Sequence, residues 1–401
     1  MTAASEQSMK GLIILLACIM AMSPLAIDLY LPAMENMATD LSTTMPMMQN
    51  TLSIYLLGYA CGLILFGPLS DILARRKLVI FGISGFTVCS FLQGYSQSLE
   101  GFMALRFIQA FISSAAIVVI PGTIRERYGK NTAKGLSYVS MVMMLAPMIA
   151  PAIGSGLLAL SGWALIFFSL GSYALLILVF AIRFLPERRD EPSQKSLQFF
   201  NRYKIVFTRK KAQLDLASSM LVSLAFFSYL TAIPFVYLTV YKLTEFEFSI
   251  LFGGAVFGLM VAHFINTRLV GKVGSRAMLN GGILVALSFS LTLLLVTLST
   301  NSIVLFVVAV VPLMGSLSII AVNSDALVLT RFKQQIGTAT AVIGVLRFGV
   351  GALAGPILAF FHNGTSVVFA GLMFTCIALI AICQLPINMK LAKYKQAQLI
   401  K

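Results

Sequence analysis

The chain has 401 residues, 59% of them hydrophobic and only 11% charged, with a formal net charge of +15. A soluble domain carries about 25% charged residues, and no soluble fold of this length has interior enough for so much apolar surface, so lipid is the solvent for most of it. So basic a balance would suggest nucleic acid in a soluble protein; here the placement of the charges argues against that partner.

A spanning helix needs roughly 20 apolar residues. Taken in chain order, apolar runs bounded by polar breaks predict twelve spans, at 11–33, 48–70, 78–97, 101–122, 136–158, 163–185, 214–240, 248–269, 277–298, 302–325, 336–360 and 366–386. The predicted class is therefore an all-α, multi-pass membrane protein. At the start, Lys10 and the run Leu15-Leu16-Ala17-Cys18 have the look of a lipoprotein leader. The apolar stretch continues past Cys18, which predicts a first span kept in the mature protein. The five cysteines all lie in apolar runs with no C-x-x-C pair, and the histidines number two, His263 and His362. Disulfides and a metal site are not expected.

The loops test the span count. The second holds Arg75, Arg76 and Lys77, and the fourth holds Arg125, Arg127, Lys130 and Lys134. The sixth holds eight basic residues between Arg188 and Lys211, the eighth Arg268, Lys272 and Arg276, and the tenth Arg331 and Lys333. The odd-numbered loops hold Lys242 as their one basic residue and carry Glu35, Asp40, Glu100, Glu245 and Glu247. By the positive-inside rule both termini are expected to be cytoplasmic, in a bacterial inner membrane. The polar segment 186–213 is predicted to link two six-helix halves, 1–185 and 214–401, the second ending in a short cytoplasmic tail. Three echoes relate the halves: Gly58-x-x-x-Gly62 with Gly254-x-x-x-Gly258, the Arg76 loop with the Gly274–Arg276 loop, and Ala150-Pro151 with Gly355-Pro356.

Several segments carry a family resemblance. The second loop, Gly67-Pro-Leu-Ser-Asp71-Ile-Leu-Ala-Arg75-Arg76-Lys77, resembles the G-x-L-a-D-r-x-G-r-k signature of the major facilitator superfamily, departing at Ile72 and Ala74. Leu105-Arg106-Phe-Ile-Gln109-Ala110 in span 4 is similar to the family's R-x-x-q-G, and Ala146-Pro147-Met-Ile-Ala150-Pro151-Ala-Ile-Gly154 in span 5 resembles its antiporter motif. Ala26-Ile-Asp28-Leu-Tyr30-Leu-Pro32-Ala-Met34 and Ile336–Gly344 look like the Bcr/CflA group of multidrug exporters. The resemblance covers essentially the whole chain. It implies the major facilitator fold, with parallel six-span repeats, and a monomer without cofactor. It also implies export of drugs of the amphenicol, bicyclomycin or lipophilic-cation type, by alternating access and in exchange for protons. No G-x-x-x-x-G-K-[ST] loop occurs that would suggest ATP. The alternatives are a metabolite exporter, for a sugar or amino-acid derivative, and a proton symporter. A membrane enzyme is not expected, because no nucleophile–base pair or metal cluster supports one.

Ionisable groups inside a bilayer are costly and usually functional. Asp28 lies well inside span 1 between Pro24 and Pro32. An apolar setting disfavours the charged form of an acid and brings proton exchange within reach. Asp28 is expected to carry the proton; the alternative is a structural carboxylate satisfied by a neighbouring helix or water. Arg106 is expected to be its partner, and the resemblance places it in proton coupling; the alternative is a packing arginine bonded to backbone carbonyls. Arg347 in span 11 either contacts substrate or packs, and Asp325 reads as a gate or helix-end charge. The resemblance assigns Asp71, Arg75 and Arg76 to gating. Pro147, Pro151 and Gly154 are assigned to the helix contacts that bear the movement, a setting equally compatible with plain packing. Tyr30, Tyr55, Tyr59, Tyr229, Phe235 and Tyr237 are candidates for an apolar substrate cavity. Trp163 reads as an interface anchor.

Overall fold

The computed structural model describes residues 3–70, 73–128, 132–185, 210–332 and 336–399. Among these the regular structure is helical, and twelve helices are long and apolar enough to cross a membrane. They are span 1 (Gly11–Asp40), span 2 (Met45–Leu69), span 3 (Arg75–Gly94), span 4 (Leu99–Glu126), span 5 (Gly135–Ser161) and span 6 (Ala164–Phe184). Then follow span 7 (Ala212–Val240), span 8 (Glu245–Val273), span 9 (Ser275–Ser299), span 10 (Ile303–Thr330), span 11 (Ala339–Phe360) and span 12 (Val367–Met389). They correspond one to one with the predicted runs. The reason is elementary: without water, each backbone amide must find its partner within its own segment, and a helix provides that.

Three spans depart from a plain helix. Span 1 is helical to Asp28, turns at Leu29–Tyr30, and resumes as a 3₁₀ turn (Leu31–Ala33) and a short helix (Met34–Asp40). Span 7 passes after Pro234 into a π-helical stretch, Phe235–Val240. Span 11 is interrupted between Gly351 and Ala354.

The chain forms two compact units, Met1–Phe199 with Tyr237–Gly253, and Phe200–Val236 with Gly254–Lys401. Most of the predicted linker, 186–209, lies outside the described residues. In the first unit span 4 packs on spans 2 and 3, span 6 on span 3, and span 5 on span 1. In the second, span 10 packs on span 9, span 12 on span 9, and span 11 on span 7. The pairs 3–4, 3–6 and 1–5 thus recur six spans later as 9–10, 9–12 and 7–11, which is the repeat expressed as packing.

Small residues make these contacts close. A Cβ on Gly58 would overlap the carbonyl oxygen of Phe107, and one on Gly62 would overlap the Ser114 hydroxyl. The echo in span 8 is only half kept. Gly258 packs on span 10, where a Cβ would lie 2.7 Å from Val311 Cγ1, whereas Gly254 has nothing within 4 Å.

Candidate functional site

The break in span 1 organises the first unit. Pro32 has no N–H to donate to the carbonyl four residues before it, and a helix end leaves its last carbonyls open. The helix therefore stops at Asp28, and the carbonyl of Ala26 is free to accept a bond from elsewhere. Span 5 closes on the break. Leu29's carbonyl oxygen occupies the place where a Cβ of Gly154 would stand, and Pro32 Cγ lies 3.3 Å from it. Only glycine at 154 lets span 5 approach this far. The carboxyl of Asp28 is held at this point, 3% exposed, and makes no hydrogen bond or ion pair among the described residues.

Arg106 on span 4 is completely buried. Its Nη2 donates to the Ala26 carbonyl at 2.9 Å, and its Nη1 to Gln109 Oε1 at 3.3 Å. The guanidinium carbon sits 4.0 Å from the centre of the Tyr30 ring and 5.0 Å from that of Tyr55, with Phe102 at 5.7 Å and Phe167 at 5.6 Å. The expected pairing with Asp28 is corrected by these contacts: Arg106 bonds backbone and amide, and aromatic faces take up its charge. The broken helix offers it a carbonyl two residues before Asp28, and Nη2 is used there, while Nε has no hydrogen-bond partner among the described residues. Tyr30 and Tyr55 accordingly form walls of the arginine site. Their hydroxyls are tied down, Tyr30 to Thr51 at 3.1 Å and Tyr55 to Ser23 at 3.3 Å. Tyr59, one turn beyond Tyr55 on span 2, is 5% exposed.

A layer of neutral polar side chains extends the site, one that the sequence reading missed. Gln109 accepts from Gln93 Nε2 at 3.1 Å and donates to Ser90 at 2.8 Å, and all three are fully buried. Their signal in the sequence was neutral polar residues within apolar spans, Gln109 well inside span 4 and Gln93 near the end of span 3, which is weaker than a charge.

The remaining expected cavity residues fall in both units. Tyr237 packs edge-on against Phe248 within the first unit, ring centres 6.0 Å apart. In the second unit Tyr229 meets Phe369 at 6.4 Å and Phe235 meets His362 at 4.9 Å. Arg347 is bound to Asp325 by an ion pair, and Ser219 of span 7 donates to the other carboxylate oxygen at 2.5 Å. Asp325 is thus the partner of Arg347, on the neighbouring span; two lone, opposite charges in successive spans were the signal for it.

Of the expected gating residues, Asp71 lies outside the described residues. Arg75 pairs with Glu126 at 2.5 Å, and Arg76 donates to the carbonyl of Ile182 at the end of span 6, also at 2.5 Å. The echo at Arg276 is faithful. Arg276 binds Gln384 at the corresponding end of span 12, and also Asp215 of span 7 at 3.0 Å. Pro151 is buried within span 5 and Pro147 half-buried one turn earlier.

Residues 16–356 match the family model of the Major Facilitator Superfamily. The chain belongs to that superfamily. It is a multi-pass bacterial membrane transporter, acting on small molecules in a lipid bilayer. A bicyclomycin resistance protein homolog of Haemophilus influenzae is 27% identical over 371 residues, covering 92% of this chain and 93% of that protein. The chloramphenicol resistance protein CraA of Acinetobacter baumannii is 26% identical over 270 residues, 67% of this chain and 65% of that one. The crystal structure of the nucleoside transporter NupG superposes with a TM-score of 0.71 at 11% identity, covering 94% of this chain and 97% of its own. At that identity the likeness speaks for the fold alone.

Proposed function

We propose that this major facilitator exports small amphiphilic drugs across the bacterial cytoplasmic membrane in exchange for protons, with Asp28 as the proton carrier. The observation that carries this reading is the Asp28 carboxyl, buried inside a span at the break in its helix and without a bonding partner among the described residues. A structural carboxylate would be satisfied by donors, whereas an unpartnered one inside a bilayer is free to take up and release a proton. Arg106 acts on it through the backbone, by holding the Ala26 carbonyl and so the end of the helix. The drug side of the proposal rests on relatives that are named for resistance to bicyclomycin and chloramphenicol.

Alternating access requires proton and drug to favour opposite-facing states, and linkage makes that antagonism reciprocal. The halves 1–185 and 214–401, joined by 186–213, are the moving bodies in this scheme. The even-numbered loops and both termini face the cytoplasm, because the basic residues gather there. Arg75 and Arg76 then fasten the cytoplasmic ends of spans 3, 4 and 6 to one another.

The test is drug transport with proton release in everted vesicles bearing wild type or Asp28→Asn, using chloramphenicol, bicyclomycin and a lipophilic cation. Wild type is expected to exchange at least one drug for protons. The variant should reach the membrane in normal amount and exchange none. Proton-coupled transport by Asp28→Asn at the wild-type rate would remove Asp28 from the mechanism.

A further inference from the structure

The ion pair on spans 10 and 11 takes no part in the proton chemistry above, yet it is held in a built setting. Asp325 receives Arg347 on one oxygen and the Ser219 hydroxyl on the other, so spans 7, 10 and 11 meet at one carboxylate. About one turn away lies an apolar cluster from the same three segments: Leu216, then Val328 and Phe332, then Ala339, Val342 and Ile343. That cluster lies toward the ends of the spans and locks them together, with the charges deeper inside. A flexible surface pair has no such frame.

The Arg347 side chain is nevertheless 36% exposed and that of Asp325 24%. The face of span 11 that leads to the pair carries Thr340, Gly344 and Arg347, four and three residues apart, and a Cβ on Gly344 would find nothing within 4 Å. Lipid-facing surface in the same unit has another composition; on span 9 it is Leu284, Leu291, Leu295 and Leu298, all well exposed. A face of small and polar residues that ends in a charge borders space open to polar solutes, since lipid would penalise it.

We infer that the Asp325–Arg347 pair is a specificity-determining element that sets which substrate charge the transporter accepts. With both partners present this face of span 11 is neutral and admits uncharged and weakly charged drugs alike. Removing either one leaves an uncompensated charge, which favours ligands of the opposite sign. One net charge about 10 Å from a ligand, at an effective dielectric near 20, corresponds to roughly tenfold in selectivity. The inference rests on the export reading and refines it.

The experiment measures uptake of chloramphenicol (neutral), tetraphenylphosphonium (cationic) and nalidixate (anionic) into everted vesicles. Wild type is compared with Asp325→Asn, Arg347→Gln and the double variant. Asp325→Asn should lower the ratio of tetraphenylphosphonium to chloramphenicol about tenfold and raise that of nalidixate. Arg347→Gln should do the reverse, and the double variant should return both ratios to wild type. Equal loss of all three probes in both single variants would mean a structural pair and overturn the inference. A wild type that carries none of the probes would bring down the export reading, and the selectivity with it; unchanged ratios in active variants would bring down the selectivity alone. Should the single variants fail to reach the membrane, Gly344→Cys in a cysteine-free chain carries the test. A hydrophilic thiol reagent should modify it, and chloramphenicol should slow the modification; no reaction, or no protection, would refute the inference.

Discussion

Replacing Gly154 by alanine places a methyl group onto the carbonyl oxygen of Leu29, one residue beyond the proposed proton carrier. Both atoms belong to backbones, so no side chain can rotate away and one of the two spans must shift. Overpacking of this kind costs about 1–3 kcal/mol, offset in part by alanine's roughly 1 kcal/mol advantage over glycine inside a helix. For a unit of this size the net corresponds to a fall of up to roughly 8 °C in Tm. The internal control is Gly156, two residues along the same helix, whose Cβ would meet nothing within 4 Å. Gly156→Ala should keep or slightly raise Tm and leave transport unchanged. The assay is thermal melting of the detergent-solubilised protein beside proton-coupled drug transport in vesicles. The expected result is a lowered Tm and at least a tenfold loss of coupled transport for Gly154→Ala alone. Equal behaviour of the two variants would refute the idea that span 5 fixes the break next to Asp28.

Other substitutions probe the remaining contacts. Arg106→Lys keeps a charge but loses the planar group that bonds Ala26 and Gln109 while stacking on Tyr30. Transport should fall at least tenfold with little change in expression, because the two cations are not equivalent at a stacked site; wild-type transport would show that any cation suffices. Arg276→Gln leaves Asp215, fully buried, without its cation. That should destabilise the second unit by about 3–5 kcal/mol, seen as poor recovery from membranes, and adding Asp215→Asn should restore much of it. Trp163→Phe removes one hydrogen bond, to Asp40 at 2.8 Å, and keeps the aromatic contacts with Phe102 and Phe167. The expected cost is about 1–2 kcal/mol in stability with transport unaffected, measured by the same melting assay.

Number and order of the spans were legible in the sequence because the bilayer imposes one local rule: about 20 apolar residues whose backbone satisfies itself. The alternation of charged loops is equally local and needs no tertiary information. The repeat could be read from Arg76 and Arg276, whose side chains both reach the far end of the sixth helix of their set, at Ile182 and Gln384. Asp28 and Arg106 stood out because a charge within an apolar run is rare whatever surrounds it. Which groups meet was another matter, since that depends on residues distant in the chain and on where a helix breaks. The sequence paired Arg106 with Asp28, 78 residues away. The fold instead gave its guanidinium the Ala26 carbonyl, exposed by the end of the helix at Asp28, and a cage of aromatic rings. Gly154 could be recognised as a motif glycine, but its task became definable only once span 5 lay against Leu29. Likewise Arg347 and Asp325 are two ordinary exceptions in two hydrophobic runs until the packing of spans 7, 10 and 11 brings them, with Ser219, to one point. Solvent partition is written residue by residue; the partner of a buried polar group is chosen by geometry, and geometry is a property of the packed chain.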